Sequence, residues 1–211
     1  MSALYPFLRN ADADLDAVLA EVRESTAAKV AEIIALRAAV VERDGARITR
    51  CAGEMAGRFA RGGRLLAFGN GGSSTDAQDM ASLFLCPGGA HRPLPAFGLT
   101  NDIAVITALS NDIGFDVVFS RQIAAFGRPE DVAVGLSTSD NSANLLRAFD
   151  EAHGRGMLTV GIAGYDGGKM AEHDGIGYLF TIPSPSVHRV QEAQTTVYHA
   201  LWELTLAALL R

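Results

Sequence analysis

The chain has 211 residues, 48% of them hydrophobic, which is enough for one α/β domain with a substantial core. A formal net charge of −6 argues against a direct nucleic-acid surface or an anionic membrane surface, and the apolar runs suit strands and helices rather than a membrane span. Cys51 and Cys86 have no metal-ligand spacing and read as free thiols, and no basic stretch precedes an apolar run at the start, so a cytoplasmic protein is expected.

Residues from about Ala11 to Ala60 read as helix, without proline and with apolar positions at helical spacing. Leu15, Val18, Leu19 and Val22 make one stripe, which Val30, Ile33, Ile34 and Val41 continue; Gly45 is expected to break it. This arm precedes the first strand and has no sheet of its own to cover, so it packs on the domain flank or on other subunits, the latter being expected. The expected division is a helical arm over 1–60 and one domain over 61–211.

From Arg64 strands and helices alternate. Strands are predicted at Leu65 to Phe68, Pro95 to Leu99, Val132 to Leu136, Leu158 to Ile162 and Tyr178 to Ile182. Helices are predicted at Asp76 to Leu85, Ile103 to Leu109, Phe115 to Phe126, Ala143 to His153, Lys169 to His173 and Val190 to Leu210. Short continuous apolar strands alternating with helices predict a five-stranded parallel sheet, doubly wound in three layers.

Two polar loops stand out in this pattern. Gly69-Asn70-Gly71-Gly72-Ser73-Ser74-Thr75 follows the first strand, and Ser137-Thr138-Ser139-Asp140-Asn141-Ser142 follows the third. Loops of small hydroxyl residues between a strand and a helix collect backbone N–H groups, hydroxyl donors and the positive end of the helix dipole. That combination suits a phosphate, and two such loops suggest one ligand held from two sides. Neither loop is Gly-x-Gly-x-x-Gly with a downstream ribose-binding acid, and no Gly-Lys-Ser/Thr occurs, which argues against dinucleotide and nucleoside triphosphate sites.

Asn70-Gly71-Gly72-Ser73, Ser110-Asn111-Asp112-Ile113-Gly114-Phe115, Ser137 to Ser142, Gly164-Tyr165-Asp166-Gly167-Gly168 and Arg189-Val190-Gln191-Glu192, in this order and spacing, resemble the phosphoheptose isomerases of the sugar isomerase (SIS) domain superfamily. The resemblance implies an SIS fold, a homotetramer with its N-terminal helices packed together, and a phosphosugar site at a subunit interface. It assigns Ser73, Ser137, Thr138, Ser139 and Ser142 to the phosphate, and Asn70 and Gln191 to the sugar.

The departures bear on chemistry. Family enzymes acting on sedoheptulose 7-phosphate carry a His and, four residues on, a Glu after the first loop; together these bind metal and move a proton. Here those positions are Asp79 and Leu83, and an alkyl side chain does neither. Gln191 and His199 stand at the family's Gln and later His, whereas an intervening His is replaced by Gln194. Asp140 stands where the family has Gly, and would repel a phosphate if turned inward. His199 reads either as a hydrogen-bonded core residue or as the acid of a proton shuttle between C1 and C2, with Asp79 or Glu192 substituting as the carboxylate. No cofactor is expected; the alternative is a reduced zinc site of Asp79, Gln191 and His199 with water in the fourth place.

Among the other candidates, Asp112 is expected to cap a helix near Phe115. His153 and His173 are expected at the surface, and His188 near the ligand. The expected function is phosphosugar binding with impaired or altered isomerase chemistry. The competing class is a non-catalytic tetramer that senses a sugar phosphate or docks a protein, as one relative that associates with the DnaA initiator does.

Overall fold

The structure, a computed structural model, describes residues 15–89, 91–139 and 141–210. The start of the expected arm and Asp140 lie outside them. The chain divides into two compact units between Ala35 and Leu36. In the first, residues 15–35 are helix, with Leu15, Val18, Leu19, Val22, Val30 and Ile34 exposed. They belong to α1, Leu15–Ala60, which is continuous. Gly45 does not break it: no neighbour approaches within 4 Å of where its Cβ would stand, and Thr49 Oγ1 donates to its carbonyl at 2.9 Å. A solvent-facing glycine lowers helix propensity without removing any backbone hydrogen bond.

The second unit is built on β1 (Leu65–Gly69), β2 (Ala96–Gly98), β3 (Val132–Leu136), β4 (Leu158–Gly164) and β5 (Tyr178–Ile182). All pairs are parallel, in the order β2-β1-β3-β4-β5. Every residue of β1, β3 and β4 is buried, as a sheet covered on both faces requires. α2 (Gly72–Leu85) and α7 (Val187–Leu209) pack together on one face. On the other lie α3 (Ile103–Asp112), α4 (Val118–Phe126) and α5 (Ala143–Gly154). A single short turn of helix, α6 (Gly168–Ala171), precedes β5.

The core under α4 and α5 centres on Phe68, whose ring centroid lies 5.4 Å from that of Phe119 and 5.3 Å from that of Phe149. Gly135 faces these rings: a Cβ there would stand 2.5 Å from Phe149 Cζ. Opposite, the later part of α1 buries Met55 and Phe59, the latter stacked on Phe84 of α2 at 5.4 Å. At the amino edge, Asp131 binds the Arg64 guanidinium at 2.7 Å and accepts from the Arg64 N–H at 2.8 Å. This clasps the starts of β1 and β3.

Two boundaries and one cap differ from the sequence expectation in ways that matter. α2 begins at Gly72 rather than Asp76, so Ser73, Ser74 and Thr75 form its first turn. Thr75 Oγ1 donates back to the Gly72 carbonyl at 2.6 Å, within that turn. The predicted helix from Phe115 is a 3₁₀ turn, Phe115–Val117, followed by α4. Asp112 does not cap it; Asp112 ends α3, and Gly114 precedes the turn with no side-chain cap. Asp102 is the capping acid instead, accepting from the Ala104 and Val105 N–H groups at 3.0 and 3.1 Å.

Candidate functional site

The chain leaves β1 toward β2 on one side, while β3 lies on the other, so a crevice opens at the carboxyl ends of β1 and β3. Open parallel sheets bind ligands at such a point. Gly69 and Leu136 are the last paired residues of the two strands, and both polar loops start there, side by side. α2 then begins after Gly71, whose φ of 55° suits glycine, and α5 begins after Ser142. Two helix N-termini therefore face one crevice.

Four hydroxyls on these turns are uncommitted. Among the described residues, Ser73, Thr138, Ser139 and Ser142 make no side-chain hydrogen bond, and Ser142 leaves its helix uncapped. Ser73 and Ser137 are buried, Thr138 and Ser142 half-buried, Ser139 exposed. By contrast, Ser74 is engaged with Thr100 Oγ1 at 2.8 Å and Thr75 with its own helix.

α7 closes one wall of the crevice. Gln191 Nε2 donates to Asp76 Oδ2 at 3.3 Å, and lies so close to Gly72 that any Cβ there would overlap it. Burial raises the Asp76 pKa from its ordinary value; the Gln191 hydrogen bond opposes this and the Asp79 charge adds to it. Two helical turns on from Gln191, the Tyr198 hydroxyl donates to Asp79 Oδ2 at 2.7 Å. Burial and the hydrogen bond to Asp79 hold that phenol well above its usual pKa, so it is a donor at neutral pH. Between them, buried Gln194 donates to the carbonyls of Ser137 at 2.7 Å and Ile162 at 3.0 Å, pinning the ends of β3 and β4. Its Oε1 has no partner among the described residues.

The structure groups some sequence candidates and separates others. Asn70, Ser73, Ser137, Thr138, Ser139, Ser142 and Gln191 all border the crevice. Asn70 reaches Asn144, and Gln191 reaches Asp76. Asp79 is on the same α2–α7 seam, turned to Tyr198. His199 lies beside Tyr198, with 5.3 Å between ring centroids, and edge-on to Trp202 at 6.1 Å. It lines a groove of about 380 Å³ with Arg37, Thr195 and Glu203. Glu192 is held by Arg189, with both carboxylate oxygens 2.7 Å from Nη1. His153 and His188 are exposed. His173 departs from the surface expectation: it is half-buried, 3.0 Å from Asp150, with its Nδ1 accepting from the Gly175 N–H.

A zinc ion would need Asp79, Gln191 and His199 to converge. Asp79 Oδ2 accepts from Tyr198, Gln191 Nε2 donates to Asp76, His199 lines the groove with Arg37 and Glu203, and Leu83 offers no donor. Among the described residues, no three His, Cys, Asp or Glu side chains form a metal-binding group. A separate cavity of about 730 Å³, walled by Phe97, Val105, Leu109 and Phe126, contains none of the loop residues.

Sequence reasoning missed Asn144 and Tyr198. Tyr198 was legible in principle, because a residue seven beyond Gln191 lies almost directly above it on a helix of 3.6 residues per turn. Asn144 carried no such signal, since its partner is 74 residues away.

Residues 29–164 match the SIS domain family. The chain is 41% identical over 170 residues to a phosphoheptose isomerase of Aquifex aeolicus, covering 80% of this chain and 88% of that protein. It is also 41% identical to one of Desulfovibrio desulfuricans over 196 residues, 92% of this chain and 88% of the relative. A phosphoheptose isomerase structure from Neisseria gonorrhoeae superposes with a TM-score of 0.75 at 40% identity, covering 86% of this chain and 97% of the other. For one from Francisella tularensis the values are 0.81 and 28%, over 88% and 98%.

Proposed function

Because the chain belongs to the SIS-domain family of phosphoheptose isomerases, we propose that it binds a sugar phosphate in the β1/β3 crevice, with little or no heptose isomerase turnover. The observation that carries this reading is the set of uncommitted hydroxyls on Ser73, Thr138, Ser139 and Ser142, gathered at two helix starts. The phosphate sits between the turns, taking hydrogen bonds from these hydroxyls, from Ser137 and from backbone N–H groups. The open-chain sugar extends toward Asn70 and Gln191.

Isomerisation between C1 and C2 needs one group to remove a proton and another to return it. Leu83 can do neither. Asp79 already accepts a hydrogen bond from Tyr198, and Glu192 is paired with Arg189. Residual proton transfer would fall to Asp79 or Glu192 with His199 as acid, and the protein holds no resident metal. We further place it in the cytoplasm as a homotetramer without direct nucleic-acid contacts. No helix among the described residues is long and apolar enough to cross a membrane.

Incubation with sedoheptulose 7-phosphate, with and without zinc, tests the chemistry. The expected result is little or no aldose product in either condition, and no stoichiometric zinc in protein purified without chelator. The combined Leu83→Glu and Asp79→His variant is expected to gain both metal and activity. One zinc per wild-type site with turnover of about 1–10³ per second would overturn the reading.

A further inference from the structure

Two amides meet across the crevice. Asn70 is the first residue beyond β1, and Asn144 lies in the first turn of α5. Asn70 Nδ2 donates to Asn144 Oδ1 at 2.9 Å, and Asn144 Nδ2 donates back to Asn70 Oδ1 at 2.9 Å. The pair is reciprocal, each side chain giving one hydrogen and receiving one, and Asn144 is only 3% exposed. A buried amide pair left half-made would strand a donor or an acceptor, so the arrangement strongly favours itself.

Its position gives it a role. The β1–β3 ladder ends at Gly69 and Leu136, and beyond it the two hydroxyl-bearing turns belong to different helices. Asn70 is tied to the first turn, because its carbonyl accepts from the Ser73 N–H at 3.0 Å. Asn144 lies two residues after Ser142, whose carbonyl accepts from the Leu145 N–H at 3.0 Å. A link between the two amides therefore fixes the Ser73 turn against the Ser142 turn.

We propose that the Asn70–Asn144 pair is a latch that sets the spacing of the two phosphate-binding turns, which makes Asn144 a positioning residue for phosphosugar binding. This rests on the reading of the crevice as a phosphate site. Asn144 touches no ligand in this role; it acts through Asn70 and the two turns. An acid at position 144 cannot replace the amide while ionised, since a carboxylate has no hydrogen to donate and would face Asn70 Oδ1. Once protonated, the acid has both a donor and an acceptor in nearly the amide geometry.

That difference supplies a test. Affinity for sedoheptulose 7-phosphate is measured by calorimetry for the full-length wild type, Asn144→Asp and Asn144→Leu, at about pH 7.5 and about pH 4.5, on either side of a buried carboxyl's titration. Each variant is expressed relative to wild type at the same pH, so pH effects common to both proteins, those of the phosphate and of Asp76 included, cancel. Asn144→Asp is expected to bind roughly tenfold or more weakly at the higher pH and to recover most of that at the lower; Asn144→Leu stays weak at both. A general loss of packing would give no recovery on acidification. Unchanged affinity of Asn144→Leu, or equal loss by Asn144→Asp at both values, overturns the latch. If Asn144→Asp fails to fold at the higher pH, Asn144→Leu decides: weakened binding supports the latch and wild-type affinity overturns it. A wild type that does not bind the probe removes the phosphate reading itself, and the latch with it.

Discussion

Replacing Ser137 and Ser139 by Ala deletes two hydroxyls from the second turn while leaving its backbone N–H groups in place. If both donate to a phosphate, affinity should fall by roughly 1–3 kcal/mol in total, since hydrogen bonds to charged groups are the stronger kind. Calorimetry with a sugar phosphate checks this, and unchanged affinity would place the ligand elsewhere. At this scale the sequence was informative about residue type but not about partners. The small polar residues could be read from the chain because their composition marks a strand-to-helix turn. That Asn70 would engage Asn144, and Asp79 engage Tyr198, could not, because each pair joins elements distant in sequence. The same limit applies to Asp112 and Asp102: both are acids beside a helix, and only Asp102 has backbone N–H groups in reach.

The seam between α2 and α7 carries its own prediction. The folded-state pKa of Asp76 is raised, chiefly by burial, so the folded protein binds its proton more tightly than the unfolded chain does. The stability this contributes is fully present below the ordinary carboxylate pKa of about 3.9 and is lost as pH rises through the raised value. Asp76→Asn keeps an acceptor for Gln191 and removes the charge. Its melting temperature should exceed that of wild type at neutral pH, with the gap closing on acidification; a gap independent of pH would contradict this account. The strands and helices themselves were readable from their apolar periods because the sheet is buried on both faces and the helices on one. The misreadings occur where local chemistry is ambiguous. Ser73–Thr75 look like loop residues yet form a helical turn, and Gly45 looks like a break in a helix that needs no side chain there.

For the whole molecule, the sheet order matters most, since it brings the turns after the first and third strands to one switch point. Parallel pairing could be inferred from the alternation of elements, and the placement of a ligand at the carboxyl edge follows from that. The exposed Leu15, Val18, Leu19 and Val22 are the kind of stripe a subunit contact would cover. Light scattering should therefore give a mass of four chains in solution, and a mass of one chain would contradict the proposed assembly. The most direct test of the central claim is calorimetric titration of the wild-type protein with sedoheptulose 7-phosphate and, separately, with sedoheptulose. The account predicts saturable binding of the phosphorylated sugar and at least tenfold weaker binding of the unphosphorylated one, about 1.4 kcal/mol or more. Equal affinity for both sugars, or no binding of the phosphate ester, would contradict it.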